Sequence, residues 1–295
     1  MISSFVDEAK RLGFLKVGFT RAGRPLFFDE FISWLDEGKQ NGMHWLKKHL
    51  ALRENPGKLL EGCRTVISLA YPYSIKKPYT TDGFCVARYS EPGKADYHGR
   101  LRSLCETLAG HIVKEYPESG IRVCVDSAPV LERSLAYTSG IGFIGKSNML
   151  IIPGYGTYFF LAEILTTVPF PPSTSRPVKN QCETCTRCID LCPSGALEKA
   201  YCFDSSKCLS YLTIEHRGRV NRETGEKMGN CFLGCDICQE VCPFNEIASS
   251  KDISLPSTGE ILEMDLKDFK EGLGKTAFAR AGLEKLKSNI QAVRP

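Results

Sequence analysis

Cys182-Glu-Thr-Cys185-Thr-Arg-Cys188-Ile-Asp-Leu-Cys192-Pro193 decides how the second half of this 295-residue chain folds. Three thiolates two residues apart on a tight loop cap three irons of one cubane. A fourth, three residues further on at the start of a helix, reaches a neighbouring cluster, and the proline behind it sets the chain direction. A zinc site would ask for two C-x2-C pairs without the trailing Cys-Pro. The pattern returns as Cys235-x-x-Cys238-x-x-x-Cys242-Pro243. Overlaid on the first copy, Cys235, Cys238 and Cys242 take the second to fourth places, and Phe232 falls where a first ligand belongs. One 4Fe–4S cluster is therefore expected on Cys182, Cys185, Cys188 and Cys242. The other takes Cys192, Cys235, Cys238 and a thiolate from elsewhere, for which spacing leaves Cys202, Cys208 and Cys231 open. Cross-ligation makes a ferredoxin-like unit from Cys182 to Pro243 that metal loss should unfold. Two adjacent clusters form a short electron path, which points to redox chemistry.

The rest of the composition fits that reading. Ten of the 14 cysteines lie between Cys182 and Cys242, and Cys63, Cys85, Cys105 and Cys124 are scattered among apolar neighbours as small core residues. A secreted disulfide scaffold would be shorter and spread its cysteines, so these thiols read as metal ligands in a reducing cytoplasm. Hydrophobic residues at 42% and charged residues at 24% allow a real core, and a net charge of +4 is too small to argue for nucleic acid by itself. The N-terminal MISSFVDEAKRLGFLKVGF is interrupted by charges, so it reads as neither export signal nor membrane span.

Upstream, the pattern alternates. Ile2 to Leu12 is amphipathic, Leu15 to Thr20 a short strand, and Phe27 to Leu50 a helix broken near Gly38 and Asn41–Gly42. Thr65 to Ala70 is a buried strand ended by Pro72, Tyr97 to Tyr116 a long helix, Arg122 to Val125 a strand, and Pro129 to Tyr137 a helix. Asn148 to Ile152 and Thr157 to Thr167 read as paired strands across the turn Pro153–Gly156. The alternation predicts a mixed α/β or α+β domain over residues 1–170. Val168 to Val178, with four prolines, reads as a linker. The cluster domain is expected over 171–250 and a helical C-terminal tail over 251–295.

Several peptides carry more than structure: Ala87-Arg88-Tyr89, Asp96-Tyr97-His98, Val125-Asp126-Ser-Ala-Pro-Val-Leu-Glu132-Arg133, Gly140-Ile-Gly-Phe-Ile-Gly145-Lys146, Cys208-Leu-Ser210-Tyr-Leu-Thr213-Ile-Glu215 and Gly234-Cys-Asp236-x-Cys-Gln239-x-Val-Cys-Pro-Phe-Asn245. In this order, with the split cysteine motif, the chain resembles epoxyqueuosine reductase, the cobalamin-dependent iron–sulfur family that completes the tRNA nucleoside queuosine. The resemblance implies an α+β fold, with a nitroreductase-like cobalamin-binding domain ahead of the two-cluster domain. It implies Cys208 as the eighth cluster ligand and Asp126 as proton donor, with a carboxyl pKa raised by burial. The resemblance suggests Arg53, Tyr97, Asp126, Lys146, Asn148, Leu150, Ile152, Ser210 and Thr213 at the cobalamin. It suggests Arg133, His216 and Arg217 at the tRNA that carries epoxyqueuosine. An external flavodoxin or ferredoxin type of electron donor and a monomeric, cytoplasmic protein with no membrane contact complete the expectation. Phe278 to Val293 resembles the peptide leading into C-terminal helical repeats of longer members, so a short form without them is expected.

Simpler readings exist for each residue. Asp126 could cap the next helix, the glycines could mark a tight bend, and Lys146, Arg217 and Arg219 could be solvated surface. A reductive-dehalogenase-like corrinoid enzyme would normally carry an export signal, and a ferredoxin-type carrier would have no need of Asp126.

Overall fold

A computed structural model of the chain describes residues 2–173, 176–246 and 252–294. Helix α1 (Ile2–Arg11) packs Phe5 and Ala9 inward, and the Phe5 ring meets Phe19 of strand β1 (Lys16–Arg21) edge to face at 6.0 Å. The helix expected from Phe27 to Leu50 covers only α2 (Phe28–Asp36). Gly38, Asn41 and His49 then take positive φ, which ends it and turns the chain before α3 (Leu50–Glu54).

After β2 (Thr65–Pro72) come the short strands β3 (Pro78–Thr80) and β4 (Cys85–Val86), then α4 (Tyr97–Glu115), β5 (Ile121–Cys124) and α5 (Glu132–Thr138). A small hairpin, β6 (Phe143–Ile144) with β7 (Leu150–Ile151), precedes β8 (Phe159–Thr166). The main sheet runs β1-β2-β8-β5, antiparallel throughout. Its central strands are almost wholly buried because both faces are covered. Ile67, Leu69 and Ile164 join Leu101, Leu108 and Ile112 of α4 on one side, and Val66 and Leu165 meet Leu135 of α5 on the other.

Two expectations are corrected here. The segments 148–152 and 157–167 are not a hairpin: β7 pairs with β6, β8 pairs with β2 and β5, and an isolated bridge joins Ile152 to Gly156. Close approach decides this, since a Cβ on Gly142 would lie 2.2 Å from the Ile151 carbonyl oxygen and one on Gly145 2.6 Å from Ile151 Cδ1. The glycine-rich stretch is thus a packed hairpin rather than a phosphate loop. Helix α5 starts at Glu132 rather than Pro129, because Ser127 N–H bonds back to Val125 and Val130 N–H to Ala128 in successive tight turns.

The proline-rich segment after β8 forms neither helix nor strand in its described part, yet it is anchored. Val168 and Phe170 lie in the first core, and Ser173 Oγ accepts the Phe19 N–H at 2.8 Å. Thr174 and Ser175 of the expected linker lie outside the described residues, as do residues 247–251 around the expected boundary at 250. Next come α6 (Arg187–Asp190), β9 (Leu197–Lys199), β10 (Cys202–Phe203), α7 (Leu209–Ile214), α8 (Arg222–Met228), β11 (Cys231–Leu233) and α9 (Ile237–Glu240). The tail opens with a strand, β12 (Asp252–Leu255), before helices α10 (Thr258–Glu263), α11 (Leu266–Glu271) and α12 (Leu283–Val293). The chain is α+β. No helix among the described residues is long and apolar enough to cross a membrane.

The three segments interlock. The second sheet, β11-β4-β3-β12, takes strands from all of them, and Val86, Phe232 and Leu233 share a core with Phe278, Leu286 and Ile290. At this junction Asp236 Oδ2 accepts from the Arg88 main-chain N–H at 2.8 Å and from its guanidinium at 3.0 Å, with Arg88 5% and Asp236 2% exposed. Glu240 accepts from the same guanidinium at 2.6 Å, and the Arg88 Nε bonds the Ile75 carbonyl. Burial still pushes the Asp236 carboxyl up despite this partner, a sign of how much desolvation the pair must offset. Deleting one member of such a pair costs about 3–5 kcal/mol. Asp236→Ala is therefore expected to lower the unfolding temperature of the cluster-loaded protein sharply, and Arg88→Met/Asp236→Leu to recover much of the loss. Thermal unfolding under anaerobic conditions measures both.

Candidate functional site

Eight of the ten clustered thiols sort into two nests. Beyond burial, the groups that push the Cys188 thiol up are Cys182, Cys242 and Cys185, and those acting on Cys242 are Cys182 and Cys185. Cys238 is pushed well up by burial and then by Cys235, Cys208 and Cys192 among its neighbours; burial, with Cys208 close by, takes Cys235 up to about 12. Thiols pushed up in this way, Cys188, Cys235, Cys238 and Cys242, stay protonated until a cation is present to hold them as thiolates. No three Cys, His, Asp or Glu side chains among the described residues converge on a single-ion position. A cubane spreads its four sulfurs over separate irons and asks for a wider cage. The donor set fits two clusters.

The other candidates are engaged elsewhere. Cys202 accepts from Lys39 Nζ at 3.2 Å and donates to Glu198 at 3.3 Å. Cys231 stands opposite Cys85 in the β4–β11 register and bonds that thiol. Cys85, Cys105 and Cys124 are buried core residues and Cys63 is partly buried; all 14 cysteines are free.

Asp126 follows β5 in a left-handed conformation, φ 49°, which Asp tolerates better than most residues. Its side chain is 55% exposed. Oδ2 accepts the Tyr97 hydroxyl at 3.0 Å and faces His98 Nε2 at 2.9 Å. The reason is local: Asp96 is the N-cap of α4, accepts the His98 N–H at 2.9 Å, and holds His98 Nδ1 at 2.6 Å. Tyr97 stacks on Phe160 at 4.2 Å, which fixes the phenol. Both imidazole nitrogens face carboxylates, so both carry protons, and the His98 pKa is raised, first by its bond to Asp126.

The expectation of a raised Asp126 pKa is corrected. Desolvation pushes the carboxyl up, but the bond and charge of His98, the Tyr97 hydroxyl and the charge of Arg280 outweigh it and hold Asp126 below the usual range. The mobile proton at this site rests on His98. The peptide Asp96-Tyr97-His98 stands out in the sequence, but no role for His98 is read from it. Its signal was the i, i+2 spacing from the capping Asp96.

The expected cobalamin residues divide. Arg53 is 8% exposed with its Nε unpartnered, so a polar partner fits there. Tyr97, Asp126, Asn148 and Ser210 are at least partly accessible. Lys146 instead donates to the carbonyls of Glu183 at 2.6 Å and Cys185 at 3.0 Å, holding the first cysteine loop. The Thr213 hydroxyl bonds the Leu209 carbonyl at 2.7 Å and accepts the Gly234 N–H at 2.9 Å, tying α7 to the second. Leu150 and Ile152 side chains lie in a core with Ala70 and Ile141. The side chains of these four are engaged within the protein.

Of the expected RNA contacts, Arg133 donates to the Asn148 carbonyl, His216 is half-buried beside Tyr211, and Arg217 is exposed. Arg280 was missed. It forks onto Glu215 at 2.8 and 2.7 Å, lies over the Trp45 ring at 4.9 Å, and its charge reaches Asp126.

Comparison with known proteins places these features. Residues 181–245 match the family model "4Fe-4S double cluster binding domain" and residues 53–127 match "Epoxyqueuosine reductase QueG, DUF1730". The chain is 38% identical over 300 residues to the epoxyqueuosine reductase of Xanthomonas campestris pv. campestris, covering 96% of this chain and 83% of that one. It is also similar to a solved epoxyqueuosine reductase with a tRNA-Tyr epoxyqueuosine-modified stem loop, with TM-score 0.87, 28% identity, and 99% and 80% of the two chains covered. A Bacillus subtilis epoxyqueuosine reductase with its catalytic Asp loop swung out of the active site gives the same TM-score of 0.87, at 28% identity over 99% and 80% of the chains.

The thiol sorting has a direct consequence. Cys208→Ala is expected to lose about half of the reconstituted iron, since one of two cubanes loses a ligand, while Cys202→Ala and Cys231→Ala keep all of it. Iron and sulfide analysis after anaerobic reconstitution checks this.

Proposed function

The chain belongs to the epoxyqueuosine reductase family and is an oxidoreductase, and on that premise we propose that it reduces epoxyqueuosine at the tRNA wobble position to queuosine. Asp126 is the proton donor, and the Asp96–His98–Asp126 chain carries the reading. Turning an epoxide into an alkene takes up two electrons and two protons and releases water. Cobalamin, when bound, supplies the electron pair, replenished through the two clusters from an external flavodoxin or ferredoxin type of donor. Cys182, Cys185, Cys188 and Cys242 hold one cluster, and Cys192, Cys208, Cys235 and Cys238 the other. Arg53, Tyr97, Asp126, Asn148 and Ser210 face the corrinoid.

The protein's own part is proton delivery. Asp126 passes a proton to the departing oxygen and draws it from His98 Nε2, while Tyr97 keeps the carboxylate aimed and Asp96 keeps the imidazolium charged. A strongly basic leaving oxygen needs no high donor pKa, which reconciles a low Asp126 with this role. Arg133, His216 and Arg217 contact tRNA phosphate or base edges. The protein works as a monomer in the cytoplasm.

Asp126→Asn is expected to load clusters and corrinoid normally, as read by absorbance, and to leave epoxyqueuosine unchanged in nucleoside analysis of the tRNA. Full activity would remove Asp126 from its role, and unchanged epoxyqueuosine with loaded wild-type enzyme would remove the substrate. For His98 the sign is set by its raised pKa. The proton is present below that pKa and lost as pH rises through it, so the wild-type rate falls on the alkaline side. His98→Gln should lower the rate by about 10²-fold and flatten that limb in a pH–rate profile.

A further inference from the structure

Beneath Asp126 lies a second acidic pair that the proton route does not use. Glu163, in the middle of β8, is 0% exposed, and among the described residues neither of its oxygens meets an N–H or O–H donor. It is flanked in register by Ser68 on β2 and Cys124 on β5, and the Ser68 hydroxyl is likewise without a partner. Among the described residues, the carboxyl within hydrogen-bonding reach of Glu163 is that of Glu132, the first residue of α5, and the two can bond only when one of them is protonated. Two carboxyls can bond only through a proton held between them. Glu132 in turn accepts the main-chain N–H of Asp126 on Oε1 at 2.8 Å. That is the residue forced to positive φ, on a loop otherwise held by two tight turns.

We propose that Glu132 and Glu163 share a proton and, through the hold of Glu132 on the Asp126 amide, form a positioning pair that keeps the Asp126 loop docked. A B. subtilis relative whose catalytic Asp loop is swung out gives such a latch an alternative position to guard against. The groups facing the pair are Asp126, Tyr97, Arg133, Arg53, Cys105 and Cys124. Burial first, then the charge of Asp126, takes Glu132 up to about 8, and burial and Glu132 push Glu163 well up, with both arginines present. The docked pair therefore holds its proton at neutral pH. As pH rises through that range the proton leaves, two adjoining carboxylates repel, and Glu132 loses its place under the loop.

The meaning of this latch for turnover rests on Asp126 as donor, so its test reads the loop and not the reaction. Amide exchange of the Asp126-bearing peptide is followed by mass spectrometry in the cluster-loaded protein and corrected for the intrinsic pH dependence. Protection in the wild type should fall about tenfold per pH unit above the shared proton's pKa. Glu163→Gln, whose amide donates in place of that proton, should stay protected across the range. Glu132→Ala should be unprotected throughout, and Glu132→Gln, which keeps an acceptor oxygen, should restore protection. Flat wild-type protection, a Glu163→Gln that loses it like the wild type, or a protected Glu132→Ala would overturn the proposal. If Glu163→Gln does not fold, the wild-type titration and the two Glu132 variants decide. An active Asp126→Asn would sink the donor assignment and leave this result standing.

Discussion

Everything in this molecule that concerns electrons hangs on the buried pairing of Arg88 with Asp236. Asp236 lies between two cysteines of the second motif, and Arg88 opens the turn that leads to Tyr89 and then to the capped helix bearing Tyr97 and His98. One carboxylate oxygen takes both a main-chain and a side-chain donor of the same residue, so register and charge are set together. Around it Gln239 accepts from Tyr73 and Thr157, and Asn245 reaches Thr157 through both ends of its amide. Gly156 lets Asn245 come that close: a Cβ there would sit 2.0 Å from Asn245 Oδ1. Ion pairs of this kind give little net stability, and their effect here is geometric.

Much of this was legible in the sequence, and for identifiable reasons. The double-cluster domain reads well from cysteine spacing because ligand chemistry is local; Cys208, proposed here as the ligand that spacing left open, lies outside either motif. The buried strand at Thr65 and the long helix from Tyr97 follow from apolar periodicity and an N-capping Asp. Misreadings arose where distant segments decide. The strand at Phe159 looks like half of a hairpin until β2 and β5 take both its edges. Glu163 was invisible, since a single Glu in an otherwise apolar run gives no hint that its partner sits 31 positions earlier at the head of another helix.

The acid–base layout divides labour by depth. At the open face Asp126 is kept anionic by a charged imidazole and a phenol. Below it, where burial and the charge of Asp126 outweigh the neighbouring arginines, two glutamic acids are kept from full ionisation. Opposite pKa shifts a few residues apart follow from the same sheet, one end of which is wet and the other sealed. The exposed group exchanges protons, and the sealed pair shapes the backbone that carries it.

The mixed sheet has a consequence for how such a chain is made. Strand β4 can be completed only by β11, and Arg88 finds its counter-ion 148 residues downstream. A ribosome that has released the first half has delivered a main sheet able to collapse early on neighbouring strands, next to two short strands paired only with each other and an arginine still without its counter-ion. Long-range pairings of this kind form slowly and leave edges open meanwhile. Cluster insertion and closure of the C-terminal core are therefore late events in synthesis, and the nascent protein depends on both arriving before its unpaired strands find another chain.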